Sequence, residues 1–340
     1  MSITHLSVDE PGSYIGKHQG RLQVRKGRQV LQEAPLLNLE QVIVSGRAVS
    51  LSAEAVAACS GRGIPIHFTS FQGVPYASLY AAGLTGTVQT RRAQLLAAND
   101  ARGLGLAESF TRGKLSNQAA LLRYLAKYRK EADPSVYREL RWLAAEIEDQ
   151  LDELPRLRGQ ALDDLRAPLM GIEGRAAQKY WQGVGLAVAV GQEWPGRRGR
   201  GARDPLNAAL NYAYGILYSQ VERAIVLAGL DPYGGFVHAD RPGKPSLVLD
   251  LIEEFRPAAA DRPVFAIFNR RSSIQLDERG LMIDASRRLV ADQVLERLDS
   301  TERYERKKVP LRIVIQTQAR HLATFVRGDR AGYTPFLARW

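Results

Sequence analysis

Residues Gly234 to Pro257 read GGFVHADRPGKPSLVLDLIEEFRP, and the rest of the chain is most easily understood from this stretch. His238 stands in a loop rich in glycine and proline, and a run with helical spacing follows it. At about 100° per residue, Leu247, Val248, Leu251, Ile252 and Phe255 fill one broad arc, and Asp250, Glu253 and Glu254 fall on the adjacent one. The spacing predicts a helix with Ser246 as its cap and Pro257 as its stop. Two readings of the carboxylates stay open. They form either the solvated acidic face of an amphipathic helix, or, with His238, an N/O ligand set for a divalent metal.

Working outward, the run Asp204 to Leu230 predicts a long helix with Asp204 as cap, Pro205 in the first turn and Gly229 near its end. Before it lies EWPGRRGRGAR, Glu193 to Arg203, the most basic and least structured segment. Arg197, Arg198, Arg200 and Arg203, spaced by glycines, read either as a mobile loop able to reach a phosphate backbone or as a solvated surface loop. Further upstream, LMGIEGRAAQKYW, Leu169 to Trp181, places Leu169, Ile172, Ala176 and Tyr180 on one helical stripe and leaves Glu173 off it, between Gly171 and Gly174. Each helical glycine costs about 1 kcal/mol against alanine, so the pair suggests close approach to the backbone there. A solvent-facing Glu173 is the alternative. Arg175 and Lys179 beside it add cationic surface.

The chain changes character at Ala81 to Thr87. Before it the pattern is short and β-like, with predicted strands at Ser13–Lys17, Arg21–Arg25, Val30–Ala34, Gln41–Val44, Pro65–Thr69 and Tyr76–Tyr80 and one helix at Ser52–Ser60. After it come long runs of helical period. The expected architecture is therefore α+β, a small N-terminal β-rich domain over residues 1–84 followed by an all-α-helical domain over 85–340. The aromatic end, YTPFLARW, is expected to pack back on the helices. His18 and His67 have no partners of metal-ligand type nearby and read as structural or surface residues.

Across 340 residues, 47 Lys and Arg against 36 Asp and Glu give a net charge of +11, which favours a polyanionic partner. Cys59 is the only cysteine, which excludes an internal disulfide and a multi-cysteine zinc site and fits a small buried hydrophobe. The N-terminus shows no basic and apolar secretory pattern, and no apolar run approaches the roughly 20 residues of a membrane span. A soluble, cytoplasmic protein is expected. There is no GxxxxGK[ST], GxGxxG, GxSxG or HExxH motif. What remains is Glu173, His238, Asp250 and Glu253 or Glu254 amid positive charge, a set suited to metal-assisted phosphoryl chemistry.

Four blocks in register, LMGIEGRAAQKYW, RDPLNAALNYAYGILY, AGLDPYGGFVH and SLVLDLIEEFRP, resemble the CRISPR-associated integrase family that inserts new spacers into CRISPR arrays. SYIGKHQGRLQV and GIPIHF fit that family's small N-terminal β domain, so the resemblance covers nearly the whole chain. It implies a homodimer, two of which are bridged by a dimer of the smaller CRISPR adaptation protein. It implies a metal, Mg²⁺ or Mn²⁺, held by Glu173, His238 and Glu253, with Asp250 matching a further acidic position. Some members carry Asp where this chain has Glu253, and Glu254 stands next to it. The implied reaction joins the 3′-OH ends of prespacer DNA to the CRISPR repeat by transesterification, acting on double-stranded and branched DNA. Two rivals accompany it: a structure-selective metal-dependent DNase without integration, and a non-catalytic DNA-binding scaffold.

Overall fold

The computed structural model describes residues 5–45, 47–70, 72–81, 87–189, 194–199 and 201–340. Among the described residues the N-terminal part holds eight strands: β1 (His5–Val8), β2 (Tyr14–His18), β3 (Arg21–Lys26), β4 (Gln29–Pro35), β5 (Gln41–Ser45), β6 (Ser50–Leu51), β7 (Ile66–Thr69) and β8 (Pro75–Leu79), with helix α1 (Ala53–Ser60) between β6 and β7. They form two four-stranded sheets, in the orders β1-β5-β7-β8 and β4-β3-β2-β6. Leu6, Val8, Val42, Val44 and Ile66 from the first sheet and Ile15, Leu22 and Val24 from the second meet in one core, with Cys59 of α1 fully buried among them. Burial pushes the Cys59 thiol up to about 11, so it stays a protonated, inert filler. Strands β1 and β6 are additional to the pattern-based expectation. Both are short and pair in parallel with β5 and β2, so no hairpin turn announces them.

The remainder is a helical assembly: α2 (Thr87–Ala97), α3 (Ala101–Lys127), α4 (Pro134–Leu151), α5 (Leu162–Ala187), α6 (Pro205–Leu227), α7 (Ser246–Ile252), α8 (Arg262–Asn269), α9 (Asp284–Asp299) and α10 (Leu311–Val326). Its ends follow the expected chemistry. Asp204 caps α6 by accepting from Asn207 N at 2.9 Å, Pro205 fills the first turn, and Gly229 leaves the helix at φ +79°. Helices α3, α4 and α5 pack as one group, and α6 runs beside α9 and α10.

The helical part also contains a hairpin, β9 (Thr301–Tyr304) and β10 (Lys307–Pro310). Its two turn residues, Glu305 and Arg306, sit at φ +46° and +65°. A two-residue turn of this hand ordinarily takes asparagine or glycine, so the sequence carries no hairpin signal here. Pro257 differs from expectation too. It does not stop the chain but opens a π-helical turn, Arg256–Asp261, that runs on into α8. Ser246 begins α7 without capping it, and its hydroxyl donates back to the Ala239 carbonyl at 3.1 Å.

The two parts meet along α6. Tip residue Gly73, at φ +78°, lies against α6 so closely that a methyl on Gly215 would sit 1.6 Å from the Gly73 carbonyl oxygen. Beside this contact, Ser78 Oγ and Tyr80 OH donate to Glu222 Oε2 at 3.0 and 3.2 Å, and His67 Nδ1 meets Ser78 Oγ at 2.9 Å. Burial, with Arg223 nearby, lowers His67 to about 3, which keeps this joint histidine neutral. The boundary segment 82–86 lies outside the described residues.

Candidate metal centre

Helix α3 crosses the middle of the helical part and carries a polar stripe through an otherwise apolar surface: Thr111, Lys114, Asn117 and Gln118. Thr111 Oγ1 donates to Glu173 Oε1 at 3.2 Å, and Lys114 Nζ donates to Glu173 Oε2 at 3.0 Å. The same Nζ lies 3.2 Å from Glu253 Oε2. Glu173 on α5 and Glu253 just after α7 are thus brought to a single ammonium. The guanidinium of Arg256 holds the other oxygen of Glu253. Burial alone would raise Glu253, but Arg256 and Lys114, with a contribution from His238, hold it below the ordinary carboxylate value.

His238 is fixed by Asp250. The Asp250 carboxylate, 1% exposed, accepts four hydrogen bonds: from Phe236 N (2.6 Å), Val237 N (3.0 Å), His238 N (2.9 Å) and His238 Nδ1 (2.7 Å). Nδ1 is therefore committed, and Nε2 makes no hydrogen bond among the described residues. This is the arrangement by which a carboxylate aims a histidine's other nitrogen at a ligand. Gly235 lets the loop turn this tightly, since a Cβ there would meet Ser246 Cβ at 2.5 Å and the His238 carbonyl at 2.9 Å. Gln94 of α2 clamps the loop from outside, donating to the carbonyls of Asp231 and Gly234 at 2.9 and 2.7 Å.

Glu254 belongs to another structure. It is fully buried and faces away from Lys114, accepting from Tyr333 OH (2.6 Å), Phe336 N (2.9 Å) and Gln318 Nε2 (3.1 Å). Asn117 completes the latch by donating to the carbonyls of Glu254 and Phe336 at 2.7 and 2.8 Å and accepting from Ala338 N at 2.8 Å. The aromatic end of the chain is thereby seated behind the site. The three acids 250, 253 and 254 do not form a solvated face: one orients the histidine, one meets Lys114, and one anchors the tail.

Among the described residues no three His, Cys, Asp or Glu side chains stand close enough to hold a metal ion as they are. Lys114 takes the position between Glu173 and Glu253. The glycines around Glu173 are not explained by packing within this chain: a methyl on Gly174 would meet nothing within 4 Å, and one on Gly171 only Arg175 Nη1 at 3.7 Å.

The expected cationic surface divides. Arg175 pairs with Glu153 at 2.6 Å, and Lys179 pairs with Glu146 at 3.4 Å and lies over Trp142. Arg197 is structural, its guanidinium bonding Asn207 at 3.1 Å and Asn211 at 2.7 Å and lying over Trp181 and Tyr214. Arg198 and Arg203 are exposed, with no side-chain ion pair among the described residues, and Arg200 lies outside those residues.

Behind Arg256 and Arg197, Asp261 is buried and accepts from Tyr180 OH and Tyr214 OH, both at 2.6 Å. Burial pushes it up to about 6 against those hydrogen bonds and the two arginines. A carboxylate raised in the fold stabilises fully below its unfolded value of 3.8, and that contribution is lost as pH rises through about 6. Relative to Asp261→Asn, the wild type should therefore lose stability between pH 4 and 6, by up to about 3 kcal/mol at roughly 1.4 kcal/mol per unit. Parallel denaturation midpoints for the two proteins across that window would contradict this.

Residues 6–295 match the family model described as CRISPR associated protein Cas1. A curated relative from Archaeoglobus fulgidus, "CRISPR-associated endonuclease Cas1 1", is 37% identical over 346 residues, covering 98% of this chain and 99% of its own. Among solved structures, a casposase bound to integration product superposes with a TM-score of 0.82 at 22% identity, over 98% of this chain and 93% of that one. A chain of a Cas6-RT-Cas1–Cas2 complex gives 0.78 at 18% identity, over 99% of this chain and 36% of the other. The two solved structures share the fold, and the match of the family model together with the 37% identical relative shows that this chain belongs to the Cas1 family of CRISPR-associated proteins.

Proposed function

We propose that the protein is a metal-dependent DNA integrase and endonuclease of CRISPR adaptation, which joins prespacer 3′-OH ends to the CRISPR repeat by transesterification. The observation that carries this reading is the convergence of Glu173 and Glu253, from distant parts of the chain, on one cation, with His238, its ring held by Asp250, within electrostatic reach of Glu253. Glu173, Glu253 and His238 Nε2 are the proposed ligands of Mg²⁺ or Mn²⁺, and their donor set of two carboxylates and one imidazole fits either ion in kind. When bound, such an ion supplies Lewis-acid stabilisation of the charge on phosphorus and an activated oxygen nucleophile. Asp250 keeps the imidazole in the tautomer that presents Nε2, and Arg256 keeps one oxygen of Glu253 directed away. One phosphodiester is exchanged for another, so no high-energy cofactor is needed.

On this reading the chain comprises two domains, 1–84 and 85–340, works in the cytoplasm as a homodimer, and two such dimers are bridged by a dimer of the smaller adaptation protein. The Archaeoglobus fulgidus relative is named an endonuclease, while the casposase of like fold was captured bound to integration product. A supercoiled CRISPR plasmid with short duplexes bearing free 3′-OH ends separates the two activities: cleavage without strand joining, with the partner protein present, would leave only the nuclease. Glu173→Ala and His238→Ala should each lower strand transfer by about 100-fold or more while DNA affinity stays near wild type. Full activity in both variants would remove these residues from the site.

Arg198 and Arg203 are the proposed phosphate contacts of the basic segment. Replacing both with alanine should reduce the slope of log affinity against log salt by about 2, at roughly 0.9 per lost contact. An unchanged slope would make the segment a solvated loop.

A further inference from the structure

We infer that Lys114 is a built-in counter-ion of the metal position: its ammonium holds Glu173 and Glu253 together while the site is empty, and a divalent ion binds by displacing it. The inference rests on the ligand assignment proposed above and extends it to a residue on a third element.

The commitments of the four carboxylate oxygens point to this. Glu173 Oε1 is taken by Thr111 and Glu253 Oε1 by Arg256. The remaining oxygen of each, Oε2 in both cases, faces the same Lys114 Nζ, at 3.0 and 3.2 Å. A divalent ion held by these two carboxylates would find the oxygens not engaged by Thr111 and Arg256 already facing Lys114. Two cations cannot occupy one such position, because at contact distance in a poorly hydrated site their repulsion is large. The side chains are all largely hidden, Lys114 at 15% exposure, Glu173 at 14% and Glu253 at 8%, so bulk water and salt do little to relieve either the repulsion of bare carboxylates or that of crowded cations.

Lysine suits the task in a way arginine does not. Its charge is a compact ammonium on a flexible four-carbon stem, able to leave two oxygens without carrying a rigid planar fork with it. Thr111 and Arg256 keep their own oxygens throughout, so the carboxylates stay aimed while the cation between them changes. The exchange lowers metal affinity by the strength of the two lysine contacts, and in return the metal-free protein folds without leaving Glu173 to Thr111 alone and Glu253 to Arg256 alone. The absence of a ready three-ligand cluster among the described residues agrees with a site closed down on lysine.

The test uses the full-length protein without DNA and Mn²⁺ as the probe. Isothermal titration should show one class of Mn²⁺ binding that disappears in Glu173→Gln. In Lys114→Met the metal-free protein should melt at a lower temperature, Mn²⁺ should bind about tenfold or more tightly than to wild type, and the Mn²⁺-induced rise in melting temperature should exceed that of wild type. Lys114→Gln, which keeps a hydrogen-bond donor without the charge, should move affinity in the same direction and serves if the methionine variant does not fold. Mn²⁺ affinity unchanged or weakened in the neutral variants that fold, with wild type binding normally, overturns the displacement by Lys114 and leaves the ligand assignment standing. No Glu173-dependent binding in wild type or in the variants overturns the ligand assignment, and the role of Lys114 with it.

Discussion

Asp250→Ala is expected to cost about 3–6 kcal/mol of folding stability, the sum of several orphaned buried donors at roughly 1–3 kcal/mol each. The carboxylate serves the backbone N–H groups of Phe236, Val237 and His238 and the His238 ring at once, from a position 1% exposed, where water cannot replace it. Against a typical total of about 5–15 kcal/mol, this is a large share. Asp250→Asn is a sharper probe of orientation. Its amide can accept on one oxygen only, and its NH₂ would face donors whichever way it turns. It should lose metal affinity by about 10- to 100-fold, the scale expected when a ligand's supporting carboxylate is removed, with a smaller loss of stability than alanine. A urea midpoint for Asp250→Ala corresponding to less than about 1 kcal/mol of change would mean that the loop has other means of support.

Gly215→Ala should be the most disruptive one-carbon change in the joint between the parts. The added methyl would sit 1.6 Å from the Gly73 carbonyl oxygen and 2.9 Å from its Cα, so main chain must move rather than a side chain rotate. Overpacking ordinarily costs about 1–3 kcal/mol, and here the upper end is expected because both partners are backbone. At roughly 1.4 °C per kcal/mol, the figure for about 2.1 cal/mol/K of unfolding entropy in each of 340 residues, the melting temperature should fall by about 4 °C. The loss of the neighbouring contacts from Ser78 and Tyr80 to Glu222 should accompany it. A melting temperature within 2 °C of wild type would show that the tip at Gly73 shifts without cost.

Local chemistry made much of this legible from sequence. The cap, first-turn proline and terminal glycine of α6 stand at Asp204, Pro205 and Gly229, and each acts as its residue type dictates. The strands from Tyr14 to Leu79 alternate or run apolar between turn residues, so all of these but the two-residue β6 could be placed. The four family blocks put Glu173, His238, Asp250 and Glu253 in one frame. What stayed hidden depends on distant partners. Lys114 looks like any lysine on a long helix until α5 and α7 bring carboxylates to it. Its one trace is the spacing of Thr111, Lys114, Asn117 and Gln118, polar residues along a side of α3 that is otherwise core. Glu253 and Glu254 are adjacent and identical in type, and only the rotation of the chain after Ile252 sends one to Lys114 and the other to Tyr333. Arg197 similarly reads as part of a loose basic run, yet it is held by Asn207, Asn211 and two aromatic rings.

The latch behind the centre bears on the order in which this molecule is assembled. Translation delivers Tyr333, Phe336 and Ala338 after every residue they grip, and Glu254, the neighbour of Glu253, has no other hydrogen-bonded partners for its carboxylate than Tyr333, Phe336 and Gln318 among the described residues. A ribosome-bound chain stopped before Tyr333 therefore holds Glu254 without two of them. The wall behind Lys114 and Glu253 therefore closes only once Tyr333 and Phe336 have joined the helices that were made before them.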